Sequence, residues 1–178
     1  MDIYDKHAEK WQQHMMIDKG TWELLRDYAL KFGVRSCLEF GCGLSTMLLD
    51  SMGIEVTAFE DKPEYVHPSL KHLGQSAVIL YDDLSELKID SHYDMAFIDG
   101  PEGGWNRLEA YELVGKLRIP LIVCHDLWRP AERKLTRRFL YDWTIIGYYL
   151  DAKENIATIA LRLGDKENGN TNETEKSG

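Results

Sequence analysis

The chain has 178 residues, of which 44% are apolar and 29% charged, and it carries a net charge of −9 at neutral pH. That length and mix fit one folded domain with a sizeable core. No apolar run nears the roughly 20 residues that a membrane helix needs, and the negative charge argues against bulk nucleic-acid binding, which rests on positive surface.

The opening stretch MDIYDKHAEKW is charged and lacks the apolar core of a signal peptide. Residues 1–16 read as a separate amphipathic helix, and 1–18 as a lid over a site. A helix over 21–32 buries Trp22, Leu25, Ala29 and Phe32 on one stripe and stops at Gly33, a good C-terminal cap. Strands at 36–40, 54–59, 77–81, 93–98 and 119–124 then alternate with helices at 44–52, 63–73, 105–117 and 130–140. Such alternation predicts a mostly parallel sheet with helices on both faces. Strands at 143–149 and 156–163 break the rule, because only LDAKEN separates them and a parallel crossover needs more chain. The expected fold is therefore α/β: a Rossmann-like, seven-stranded, mostly parallel sheet with a C-terminal antiparallel hairpin. One domain covers 1–163, and the polar tail 164–178 is expected to be disordered. The cysteines Cys37, Cys42 and Cys124 form no CxxC pair, so reduced thiols and a cytoplasmic location are expected.

The stretch CLEFGCGLST ends the first strand in a glycine turn that feeds a helix. In an open parallel sheet, ligands sit beyond the carboxyl ends of the strands. Gly41 and Gly43 let a ligand approach the backbone, and Glu60, ending the second strand, can accept from both ribose hydroxyls. A dinucleotide fingerprint wants a third glycine where Thr46 stands. Glu39 would repel a pyrophosphate but suits the ammonium and sulfonium of S-adenosylmethionine. Glu39, Gly41, Gly43, Ser45, Thr46, Glu60, Asp82 and Asp99 are thus the candidate cofactor residues. Asp82, past the third strand, can accept from an adenine amine.

FIDGPEGG and IVCHDLWRP end the fourth and fifth strands, bringing Asp99, His125 and Asp126 to the same edge as the glycine loop. A methyl sulfonium needs mainly an aligned nucleophile, and a hydroxyl acceptor needs its proton taken. A carboxylate or His125 can be that base. Alternatively, Asp99 and Asp126 can hold a divalent metal ion that binds the acceptor oxygens.

LEFGCGLST, the acid in FEDKPEY, FIDG and CHD together resemble the successive motifs of class I S-adenosylmethionine-dependent methyltransferases, over roughly residues 35–140. The spacing is similar to that of metal-dependent O-methyltransferases, in which Asp99 and Asp126 would align with metal-binding aspartates; that family usually has Asn where this chain has Leu127. FEDKPEYV, IDGPEGG and HDLWRPAERKLTRRFL are closer to the glucuronoxylan 4-O-methyltransferase family. This resemblance implies O-methylation of a uronic-acid sugar, hence a glycan or small-molecule acceptor. Arg129, Arg133, Lys134, Arg137 and Arg138 form a local basic run on the helix after Asp126, with Trp128, Ala131, Leu135 and Phe139 expected toward the core. Arg129 suits an anionic acceptor, and Trp105 can stack on a sugar or serve as the first core residue of its helix. The alternatives are another nucleotide-binding enzyme on the same fold and a non-catalytic binding module; the acids at three strand ends speak against the latter.

Overall fold

The computed structural model describes residues 3–11, 16–89, 92–103 and 105–164. The strands are β1 (Ser36–Phe40), β2 (Glu55–Glu60), β3 (Ala77–Leu80), β4 (Met95–Ile98), β5 (Leu121–Cys124), β6 (Trp143–Asp151) and β7 (Ile156–Leu163). They form one seven-stranded sheet in the order β3-β2-β1-β4-β5-β7-β6. Strands β1 to β5 pair with one another in parallel, and β7 is antiparallel to both β5 and β6. The expected fold class is the observed one.

The helices are α1 (Ile3–Ala8), α2 (Lys19–Phe32), α3 (Leu44–Ser51), α4 (Leu108–Leu117) and α5 (Pro130–Phe139). Side chains alternate across the central strands. Cys37, Phe97 and Val123 pack with α1, α2 and α3 on one face; Leu38, Phe40, Ile98 and Ile122 pack with α4 and α5 on the other. Strands β4 and β5 are buried at every position, which is why they read as unbroken apolar runs. Strand β3 reads the same way but is an edge, with Leu80 51% exposed.

Several local expectations change. Residues 63–73 are two 3-10 turns, Pro63–Tyr65 and Pro68–His72, rather than one helix. Pro68 lacks the N–H a helix interior needs, and its ring clashes with the preceding turn. Residues 105–107 form a 3-10 turn before α4. At the N-terminus the helix is six residues long, not sixteen; Tyr4 and Trp11 are buried in the core, and the Tyr4 hydroxyl donates to the Ile17 carbonyl at 2.7 Å. On α5 the buried positions are Glu132 and Leu135, while Trp128 precedes the helix and is 46% exposed instead of facing the core. The tail from 165 onward lies outside the described residues. No helix among the described residues is long and apolar enough to cross a membrane.

Candidate active site

A cavity of about 440 Å³ opens at the carboxyl edge of β1, β2, β4 and β5, within the size range of small-molecule sites. Its floor is the glycine turn. Gly41 has φ +86°, a left-handed value that favours glycine, and its N–H donates to the Phe59 carbonyl at 2.8 Å. A Cβ on Gly100 would lie 2.5 Å from the Gly41 Cα, so the loops after β1 and β4 touch backbone to backbone. Met16 and Ile17 from the N-terminal segment close one wall.

Among the sequence-derived cofactor residues, Gly41, Gly43, Ser45, Glu60 and Asp99 line this cavity. Glu39 does not. It is fully buried beneath the turn, accepting from Ser45 Oγ at 2.5 Å and Thr46 Oγ1 at 2.6 Å. Thr46 Oγ1 in turn accepts from the Gly43 N–H at 3.0 Å, so the residue in place of a third glycine ties the start of α3 to the strand. Burial raises the Glu39 carboxyl to about 8, against the pull of Ser45 and Thr46 and with help from the charges of Asp99 and Glu60. Glu60 uses one oxygen for the Cys42 N–H and the other for the Lys62 N–H, both at 3.0 Å. Burial raises it as well, although those two N–H groups oppose the shift. Each oxygen keeps a lone pair for a ligand. Asp82 is exposed beyond β3 and outside the lining, where Asp61 and Tyr65 stand instead.

At the other end the groups are ionic. His125 Nδ1 lies 2.7 Å from Asp99 Oδ1 and 3.7 Å from Asp126 Oδ1, and its Nε2 lies 3.5 Å from Asp18 Oδ2. Burial alone would lower the imidazole, but Asp99, Asp18 and Asp126 outweigh it and raise it to about 10. Burial alone would raise Asp99; His125, Arg107 and Arg129 bring it below the ordinary value. Asp18, the N-cap of α2, is held low in the same way by His125 and Thr21 against its own burial. Asp126 sits at φ +63°, a conformation that aspartate tolerates better than most side chains.

Three partners of this cluster were not legible as such: Arg107, Asp18 and Glu132. Arg107 is 2% exposed; its Nε donates to the Pro101 carbonyl at 2.8 Å, and its Nη2 donates to the Asp99 carbonyl and to Asp126 Oδ2, the latter at 2.9 Å. The signal existed. Arg107 precedes Ala110, Tyr111 and Val114 at helical spacing, so it occupies a core position of the α4 stripe. Glu132, fully buried, likewise shares a stripe with Leu135 and lies 3.8 Å from Arg129 Nη1. Arg129 lines the cavity and reaches Asp126 Oδ2 at 3.1 Å, whereas Arg133 is turned to the Leu127 and Trp128 carbonyls. The Trp105 side chain lies outside the described residues.

The cluster does not fit a divalent cation. Asp126 Oδ2 already faces two guanidinium groups, its Oδ1 accepts from Trp128 Nε1 at 3.2 Å, and His125 is held as an imidazolium, which has no lone pair to give. The metal expected on Asp99 and Asp126 is therefore not supported by their surroundings.

No protein-family model and no curated protein matches the chain. Solved structures do. An O-methyltransferase from Bacillus cereus in complex with S-adenosylhomocysteine is 17% identical with a TM-score of 0.66, over 90% of this chain and 88% of its own. The O-methyltransferase TomG from Streptomyces achromogenes, involved in tomaymycin synthesis and in complex with S-adenosylmethionine, is 19% identical with a TM-score of 0.63, over 89% of this chain and 86% of its own. The 16S rRNA N2 G1207 methyltransferase RsmC from T. thermophilus, in complex with S-adenosylmethionine and guanosine, gives 16% and 0.64, over 86% of this chain and 45% of its own. The chain thus has the Rossmann-like fold of S-adenosylmethionine-dependent methyltransferases.

Proposed function

We propose that this chain is a class I S-adenosylmethionine-dependent O-methyltransferase whose acceptor is a hydroxyl of a small molecule or glycan, with uronic-acid sugars the first candidates. The observation that carries the reading is one cavity joining the Gly41 turn and Glu60 at one end to Asp99, His125 and Arg129 at the other. The O-methyltransferases among the structural neighbours support the reaction type. The fold is shared with a methyltransferase acting on RNA, so it does not select the acceptor. The uronic-acid preference rests on the sequence resemblance and on Arg129, whose fork suits a carboxylate.

S-adenosylmethionine supplies a methyl on sulfonium sulfur: an acceptor oxygen bonds to that carbon as the carbon–sulfur bond breaks, the electron pair stays on sulfur, and the hydroxyl proton leaves. The chain's residues divide the remaining work. The glycine turn admits the ligand closely, and the free lone pairs of Glu60 take ribose hydroxyls. The proton passes to the Asp99–His125 pair once His125 has lost its resting proton. A cation in the same cavity lowers the imidazolium, which favours that loss.

Calorimetric titration with S-adenosylhomocysteine tests the reading. Micromolar binding, weakened in Glu60→Ala and absent for NAD, is expected; transfer of labelled methyl to uronic-acid glycans or small hydroxyl acceptors then identifies the acceptor. No binding of S-adenosylhomocysteine would overturn the assignment.

A further inference from the structure

Asp99, His125 and Asp126 place ligand-type atoms within 4.8 Å of one another, the spacing of a cation site. Guanidinium already occupies the electrostatic role of that cation. Arg107 Nη2 lies 2.9 Å from Asp126 Oδ2 and 3.6 Å from Asp99 Oδ1, and the same side chain bonds the Asp99 and Pro101 carbonyls. It therefore clamps the loops after β4 and β5 together from a position that is 2% exposed. Arg129 adds a second positive charge on Asp126 at 3.1 Å. A divalent ion entering here would have to displace a buried, four-fold anchored side chain or share one carboxylate with two like charges. One donor is also left over: Arg107 Nη1 is buried with no hydrogen-bond partner among the described residues, in a residue that lines the cavity.

We propose that Arg107 is the built-in cation of this site: a positioning residue that, with Arg129, holds Asp99 and Asp126 where a divalent metal ion would otherwise stand, so that the reaction needs no added metal. The statement about the reaction rests on the methyltransferase reading; the statement about the cluster does not. Arg107 fixes the carboxylates by charge and by hydrogen bonds, and its free Nη1 offers a donor to an acceptor oxygen.

The test is Mn²⁺ titration of the full chain, followed by electron paramagnetic resonance without cofactor. Wild type shows no saturable site below about 1 mM, the weak end of oxygen-ligand affinities. Arg107→Met and, separately, Arg129→Gln gain a saturable site at least about tenfold tighter, as expected when a competing charge is removed. Asp126→Asn in either background abolishes it, and Arg107→Lys, which keeps the charge, does not gain it. A merely structural arginine would not produce this gain. Should Arg107→Met fail to fold, Arg129→Gln, on a partly exposed side chain, reads the same quantity. A saturable wild-type site lost in Asp99→Asn, or folded arginine variants that gain none, overturns the proposal. Because no cofactor is present, this failure is distinct from a failure to bind S-adenosylhomocysteine.

Discussion

The two ends of the cavity neutralise their acids by opposite means. At the β1–β2 end, Glu39 and Glu60 meet hydroxyl and backbone donors but no cation among the described residues, and burial raises both carboxyls. At the β4–β5 end, Asp99, Asp126 and Asp18 meet Arg107, Arg129 and His125. The first arrangement favours the protonated, neutral form of its carboxyls; the second is close to internally balanced and can keep a fixed geometry while a proton moves. The difference teaches that equivalent strand-end acids acquire different chemistry from their partners, not from their position in the chain.

Removing Arg107 tests the second end most severely. Arg107→Met leaves Asp126 and Asp99 without their buried partner, and a loss of about 3–5 kcal/mol in denaturant unfolding is expected. At the first end, Glu60→Ala removes the acceptor of two backbone N–H groups and the proposed ribose contact. Hydrogen bonds to a charged group contribute about 1.5–3 kcal/mol each, so S-adenosylhomocysteine affinity should fall by about tenfold to a hundredfold in calorimetry.

The pH dependence of stability follows the direction of each group's shift: Glu39 and His125 share one sign, and Asp99 and Asp18 carry the other. Glu39 rises from 4.5 to about 8 on folding, so the folded state holds that proton more tightly and stability falls as pH climbs between those values. Glu39→Gln should flatten that part of the profile. His125 rises from 6.5 to about 10, so its contribution is full below pH 6.5 and lost as pH rises through 10. His125→Gln should remove that loss. Asp99 and Asp18 shift the other way; their contribution is present above the ordinary carboxylate value and lost as acid titrates them. The methyl-transfer rate, in contrast to stability, should rise with pH as His125 deprotonates; a pH–rate profile that falls instead would falsify its role as proton acceptor.

The smallest effect is expected at the cavity mouth. Lys62 Nζ meets Glu102 Oε2 at 2.5 Å across the loops after β2 and β4, but Glu102 is 72% exposed. Exposed pairs contribute little. Glu102→Gln should leave the unfolding midpoint unchanged within error, and a clear shift would mean that the mouth belongs to the ionic end of the comparison.

The sequence by itself determined the strand order of events: apolar runs, glycine turns and acids in alternation dictate a parallel sheet whose loops share one edge, so Gly41, Glu60, Asp99 and His125 had to converge there. The short LDAKEN connection likewise dictated the final hairpin. Tertiary structure alone decided that Glu39 lies under the turn, that AVIL in β3 is an edge, that Trp128 faces solvent, and that Asp18 comes from the start of α2 to meet His125. It also decided that Arg107 enters the acid cluster. A pattern reports which face a residue occupies through local geometry, whereas the identity of a charge partner depends on through-space distances between loops far apart in the chain. For this site, those distances set which acids are ionised and which cation answers them.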